Sequence, residues 1–404
     1  MPEPAPAPSS RRAPLRVVVA MDSFKGSVSS AEANEAVRAG VLVAAPDAVV
    51  TTVPVADGGE GTLAALAPAG RLGSVSAADL LGQEVEVPYV SLDHAVAVES
   101  ASTIGLPLLD RPTSETTRLA HSFGLGLHVR RAALATDAHR VLVGLGGTGT
   151  TDGGIGLLLA LGATVLTESG EELHGAAEPP AGNPLLLRPT RVELPRPKVD
   201  LVGLVDVSTP LTGPRGAARM FSPQKGADPS LVDELESAMA GWAVALENAG
   251  ADVADVPGAG AAGGLGAALL ALGGTLEPGL PRIVLETGAG AALADADLVI
   301  TGEGRLDAQT REGKAPAAIA SLARSVPRPA GRSPAVVAIA GQVALEPGAL
   351  AAIGIDAAWP LHDAGLHDAA LPVDALDRDV TAAALRREAA KAVRAHLATT
   401  TRTG

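Results

Sequence analysis

The chain has 404 residues, of which 47% are hydrophobic but only 1% aromatic, so its core must be built from Val, Leu, Ile and Ala. A formal charge of −14, with basic residues scattered singly, excludes the basic stripe and stacking platforms that nucleic-acid binding uses. The absence of cysteine excludes disulfides, thiolate-bound zinc and thiol nucleophiles, and fits a cytoplasmic protein.

Residues 1–14 form a Pro/Ala tail with no apolar signal core and are expected to be disordered. The β-branched run Arg16-Val17-Val18-Val19-Ala20 predicts a first strand, with Asp22-Ser23-Phe24-Lys25 in the loop after it. Ser29 and Glu32 have the spacing of a capping box, which predicts a helix from there to about Val43. A second apolar run, Val49 to Ala56, ends in Asp57-Gly58-Gly59-Glu60-Gly61-Thr62. The alternation from Leu81 to Val98 predicts an antiparallel pair. Val141 to Leu145 then leads into a glycine-rich stretch from Gly146 to Gly156. Residues 170–200 are Pro-rich and read as a long connection. Leu201 to Val205 ends in Asp206. Pro257 to Leu276 carries no charge, but its glycines make it a loop entering a buried helix rather than a membrane span. Ala296 to Ile300 ends in Thr301-Gly302-Glu303-Gly304, and Val336 to Ala340 ends in Gly341.

Continuous apolar strands alternating with helices predict a mostly parallel sheet covered on both faces, with ligands at the carboxyl ends of its strands. The polar, glycine-rich motifs sit at those ends. Phosphoryl transfer requires carboxylates for Mg²⁺, cations for the moving group and a residue that orients the attacking hydroxyl. Asp22, Asp57, Glu60, Asp206, Glu303 and Asp307, with Lys25, Lys225 and Arg305, supply these types at what the pattern predicts to be one sheet edge. Taken singly, each reads as a helix cap or a surface ion pair; the grouping carries the argument.

Gly144-Leu145-Gly146-Gly147-Thr148-Gly149 and Gly258-Ala259-Gly260-Ala261-Ala262-Gly263 both match the dinucleotide pattern, and two matches in a chain with 47 glycines carry little weight. The first runs on through Thr150-Thr151-Asp152-Gly153-Gly154, whose amides and oxygens suit phosphates and a metal. Glu168 stands where a nicotinamide-dependent oxidoreductase has its ribose-binding acid. A non-catalytic nucleotide sensor is a second rival reading. Gly313-Lys314 is followed by Ala315, so no Walker A motif is present. The eight histidines form no metal-binding spacing and read as structural or exposed, and Ser23 has no nucleophile elbow.

Val19 to Ser27, the run around Asp22-Ser23-Phe24-Lys25, resembles the opening signature of the bacterial class I glycerate kinases (glycerate 2-kinase type). The likeness continues in order through Ala56–Thr62, Gly146–Gly154, Asp206–Pro214, Phe221–Ala227, Gly258–Gly264 and Asp297–Asp307 with Gly313-Lys314, covering about residues 15–390. The resemblance implies two α/β domains. One is flavodoxin/Rossmann-like with a mostly parallel sheet, at 15–80 plus 285–404, and is split by an inserted α/β domain at 81–284. The active site is then expected in the interdomain cleft. It implies ATP and Mg²⁺, D-glycerate as acceptor and 2-phosphoglycerate as product, with 3-phosphoglycerate or another small hydroxy acid as the alternative. A monomer or homodimer without nucleic-acid or membrane partners is expected.

On this reading Asp22 accepts the glycerate hydroxyl proton and Arg305 grips its carboxylate, while Ser23, Asp57, Glu60 and Asp307 complete the substrate side. The nucleotide meets Gly146, Gly147, Thr148, Thr150, Asp152, Gln224 and Lys225, with Lys25 as a second cation, and Asp206 or Glu303 holds Mg²⁺. The chain departs from the family pattern at Met21 (usually Pro), Gly149 (Ala), Thr151 (Asn), Thr209 (Asn) and Ile104 (Ser). Thr151 and Thr209 keep an oxygen but lose an amide donor.

Overall fold

A computed structural model describes residues 13–24, 26–56, 58–174, 178–312, 314–327, 333–361 and 377–400. The expected disordered tail therefore lies outside the described residues, apart from its last two positions. Lys25, Asp57 and Gly313 also lie outside them.

In chain order the strands are β1 (Arg16–Met21), β2 (Val49–Thr52), β3 (Arg71–Ala78), β4 (Glu84–Ser91), β5 (Val96–Glu99) and β6 (Arg140–Gly144). They continue as β7 (Thr164–Thr167), β8 (Glu172–His174), β9 (Pro189–Glu193), β10 (Asp200–Val205) and β11 (Thr275–Pro278). The last are β12 (Leu298–Gly302), β13 (Arg305–Leu306), β14 (Ala335–Ala340), β15 (Gln342–Val343) and β16 (Ala357–Pro360).

The chain divides into two compact units, Met1–Val55 with Ala289–Gly404, and Ala56–Gly288. The first carries a five-stranded sheet in the order β16-β14-β12-β1-β2, parallel throughout. Counting only these strands along the chain, the order is 2-1-3-4-5, the flavodoxin-like arrangement. The strand order reverses between β1 and β12, and in such sheets the crevice at that reversal receives the ligand. The capping box forms as the spacing predicts: Glu32 N donates to Ser29 Oγ at 3.3 Å and Ser29 N to Glu32 Oε2 at 2.8 Å, opening the helix Ser30–Ala44. That helix buries Val37 and Val41, and packs on the C-terminal helix Arg378–Thr400 closely enough that Gly40 lies against the Arg386 carbonyl.

The second unit carries a six-stranded sheet in the order β11-β10-β6-β5-β4-β3. The first four of these are parallel, and β4 and β3 extend the sheet antiparallel. The expected domain boundary at 80/81 moves to 55/56 because β3 pairs along its whole length with β4 and the helix Thr62–Leu66 packs on β5. The stretch read as a plain connection holds part of a three-stranded antiparallel sheet, β8-β7-β9. The core of this unit rests on leucine, valine and alanine around the fully buried Trp242 and Phe123. The uncharged stretch becomes the buried helix Ala261–Ala271, entered through left-handed backbone at Ala262, Gly263 and Gly264. Among the described residues no helix is long and apolar enough to cross a membrane.

Candidate active site

The acids predicted to share one sheet edge end two different sheets. Asp22, Glu303 and Asp307 belong to the first unit, Glu60 and Asp206 to the second. The early boundary accounts for Glu60, which it moves into the second unit, while Asp206 follows β10 of the second sheet.

In the first unit, Asp22 and Glu303 follow the adjacent strands β1 and β12, on either side of the reversal in strand order. Asp22 N donates to the Gly302 carbonyl at 2.9 Å, and its half-buried carboxylate accepts from Ser23 N at 2.6 Å. Glu303 is only 7% exposed, and Thr310 Oγ1 donates to its Oε1 at 2.7 Å. Burial pushes the Glu303 carboxyl up to about 7; the Thr310 hydroxyl and Lys314 pull it down, and the charges of Asp22 and Asp307 add to the rise. Arg305 is exposed and pairs with Asp307 at 3.5 Å. Asp307 also accepts from Gln309 N at 2.9 Å, so part of its role is to start a short helical turn. Thus Asp22, Ser23, Glu303 and Asp307 come together at one strand-end cluster, with Arg305 at its rim.

In the second unit the glycine-rich segments interlock at the carboxyl ends of β5, β6 and β10. A Cβ on Gly146 would lie 2.5 Å from the Gly59 Cα, which ties the Gly146–Gly154 loop to the loop that carries Glu60. Gly153 holds φ +66, and a Cβ there would lie 2.7 Å from the Trp242 ring. Glu60, Asp206 and Gln224 are exposed, and Gly147 is the exposed residue of the Gly146–Gly154 loop.

Most of that loop is bonded inward. Asp152 is fully buried, and its carboxylate accepts from Ser122 N and Ser122 Oγ, both at 2.7 Å, and from Gly154 N and Gly156 N, both at 3.1 Å. Lys225 is 2% exposed; its amine donates to the Thr150 carbonyl at 2.5 Å and to Thr148 Oγ1 at 3.2 Å. Burial pushes the Lys225 amine down to about 7, against the pull of the Asp152 charge. The amides of Gly146, Gly149 and Gly153 donate to Ser100 Oγ, the Ile104 carbonyl and the Gly263 carbonyl. Among the described residues the amides of Gly147, Thr148, Thr150 and Thr151 make no such bond. The hydroxyls of Thr150 and Thr151 are buried without a partner, an arrangement that costs about 1–3 kcal/mol each unless a ligand or water satisfies them.

Sequence reasoning missed several supporting residues. Glu99 ends β5, is 7% exposed and accepts from Gly61 N at 2.9 Å and Leu63 N at 3.1 Å. Its signal was available, since it is an acid closing an apolar strand as Asp206 does. Asn183 and Trp242, which donate to the Thr151 and Gly153 carbonyls at 3.1 and 3.0 Å, gave none. The histidine reading holds for His128, which is fully buried, bonded through Nδ1 to Thr103 at 2.8 Å, and pushed down to about 4 by burial.

The nicotinamide reading requires the strand after the glycine loop to lie parallel beside the strand before it. Here β6 is flanked by β5 and β10, whereas β7 belongs to the small antiparallel sheet. Glu168 is exposed at the end of β7, 3.9 Å from Arg188. The fingerprint is therefore present without its fold.

For a magnesium ion, no three His, Asp or Glu side chains converge among the described residues. Mg²⁺ in kinases is commonly held by one or two carboxylates, with substrate phosphates completing its shell. The exposed Asp206 carboxylate fits that donor set. Glu303, buried and lifted to about 7, fits it less well.

A family model described as the glycerate kinase family matches residues 17–393. The chain is 37% identical over 388 residues to a glycerate kinase of Bacillus subtilis, covering 91% of this chain and 97% of the relative. It is 36% identical over 356 residues to a glycerate 2-kinase of Escherichia coli, covering 85% and 90%. A solved structure from Salmonella typhimurium LT2, provisionally assigned as glycerate kinase 2, superposes with a TM-score of 0.77 at 32% identity, covering 96% of this chain and all of that one. With the flavodoxin-like sheet, the acid cluster at its reversal and the interlocked glycine loops, these likenesses place the chain in the glycerate kinase family.

Proposed function

We propose that this protein transfers the γ-phosphoryl group of ATP to a hydroxyl of D-glycerate and releases 2-phosphoglycerate. The observation that carries this reading is that the blocks holding Asp22, Gly146–Gly154, Asp206 and Glu303 follow the parallel strands β1, β6, β10 and β12, at the carboxyl ends where α/β sheets bind their ligands.

In this proposal the nucleotide phosphates meet amides of the Gly146–Thr151 segment, with Gly147 and Thr148 foremost because Gly146 and Gly149 are already bonded. Asp206 would hold Mg²⁺, which supplies charge neutralisation on the phosphates when bound. Glu303 is the other candidate for that place. Asp22 accepts the proton of the glycerate hydroxyl as the glycerate oxygen forms the new bond to the γ-phosphorus and the bond from that phosphorus to the departing ADP breaks. Arg305 grips the glycerate carboxylate, for which its planar fork is suited, and its pairing with Asp307 orients it. Ser23, Glu60 and Asp57 complete the substrate side, and Gln224, exposed beside Lys225, the nucleotide side.

Phosphorus NMR of the product tests the reading. With D-glycerate and Mg·ATP, one new phosphomonoester signal split by a single proton is expected, since the phosphate then sits on C2. A signal split by two protons means transfer to C3 and corrects the product. No phosphomonoester from D-glycerate rejects the proposal.

A further inference from the structure

A lysine within the glycine-rich blocks of a nucleotide enzyme invites assignment as a phosphate ligand. The surroundings of Lys225 argue for a different task. It ends the short turn Pro223–Lys225, with its carbonyl held by Thr117 Oγ1 at 2.8 Å and its amide bonded to the Ser222 carbonyl. Its side chain runs under the Gly146–Gly154 loop, 2% exposed, and joins two points of that loop, Thr148 Oγ1 and the Thr150 carbonyl. Asn183 takes the next carbonyl, that of Thr151, and Trp242 that of Gly153. Three buried donors from three separate parts of the chain thus draw the loop's carbonyls inward. Such anchoring fixes the remaining backbone groups before a ligand arrives, which is what preorganised anion recognition needs.

We propose that Lys225 is a positioning residue of the nucleotide loop: from beneath, its amine holds Thr148 and Thr150 in place, so that the loop's amides, and not Lys225 itself, contact the phosphates. This rests on the function proposed above, and it separates Lys225 from Lys25, the other cation expected to meet the nucleotide. The full chain contains Lys25, Lys198, Lys225, Lys314 and Lys391, so each amine is resolved by mass spectrometry after reaction with an acetylating reagent.

In the folded wild-type protein without nucleotide, Lys225 is expected to label at least about a hundredfold more slowly than the exposed lysines, as expected of an amine that reacts only through transient opening. Labelling of Lys225 at the rate of the exposed lysines, with protection by Mg·ATP, overturns the proposal. The kinetic arm uses Lys225→Met, Thr148→Val and the double variant. Lys225→Met should raise KM for ATP about tenfold or more, the scale set by loop misplacement, and leave KM for glycerate within about twofold. Thr148→Val should shift the same constant in the same direction. The double variant should be no worse than Lys225→Met, because Thr148→Val breaks a link that Lys225→Met has already broken. Additive losses, or equal rises in both KM values, overturn it. If Lys225→Met does not fold, the labelling of the wild-type chain decides alone. If the wild-type chain forms no ADP with D-glycerate, the functional reading fails while the labelling arm still reports on the strut.

Discussion

The two main sheets of this protein end in loops of opposite character. In the first unit the strand ends present carboxyl groups in one cluster, with Asp22 half-buried, Glu303 lifted towards neutrality and Arg305 exposed at the rim. In the second unit the Gly146–Gly154 loop turns its carboxylate inward onto Ser122, and its Thr150, Thr151 and Gly153 carbonyls onto Lys225, Asn183 and Trp242. The contrast separates groups that can change protonation or grip a substrate from groups that hold a receptor in shape. A residue can belong to a family's signature for either reason, and its partners tell which.

The largest effect that would sharpen this contrast lies on the rigid side. Asp152→Ala removes the acceptor of four hydrogen bonds in a fully buried place and should cost about 3–5 kcal/mol of stability, several buried donors being left unpaired. Urea unfolding measures it, and a loss below about 1 kcal/mol would mean that these bonds do not hold the loop. On the reactive side, Asp22→Asn should lower kcat by about 10²-fold or more, the usual scale of general base catalysis, with little change in stability. Near-normal turnover would remove Asp22 from the proton-accepting role. Arg305→Ala is expected to raise KM for glycerate about tenfold with a smaller change in kcat, the loss of one charge-assisted carboxylate contact. An unchanged KM counts against the grip.

The last effect is a pH slope. Burial lowers the Lys225 amine from an ordinary 10.5 to about 7, so between these values the unfolded chain binds a proton that the folded chain does not. Stability therefore rises with pH across that window, and below about 7 the cost of burying the charge is fully present. The wild-type protein should gain stability relative to Lys225→Met between pH 7 and about 10. A parallel dependence in the two proteins would show that the amine is not buried as described.

Much of the first unit was legible in the sequence because it depends on local pattern. Continuous apolar runs gave parallel strands, the Ser29/Glu32 spacing gave the helix start, and the acids after β1 and β12 gave neighbouring carboxyl groups. The second unit was less legible because its supporting bonds join distant residues. Lys225 reaches back to Thr150 and Trp242 to Gly153, and neither link leaves a periodic trace. The boundary at 80/81 was missed for a related reason: the pairing of β3 with β4 decides which unit residues 56–80 join, and strand pairing is not written in either strand alone. Glu168 erred the other way. The glycine pattern before it is real, but only the strand pairing tells that the strand leading to Glu168 belongs to a different sheet.

Asp22, which follows β1, lies near Glu303, which follows β12, at the reversal of the first sheet. Coupled measurement of ADP release by the purified full chain, with Mg·ATP and a panel of small hydroxy acids, tests the central claim most directly. The account predicts ADP formation that depends on D-glycerate and is strongest with it. ADP formation indifferent to D-glycerate, or none with any acceptor while ATP still binds, would contradict it.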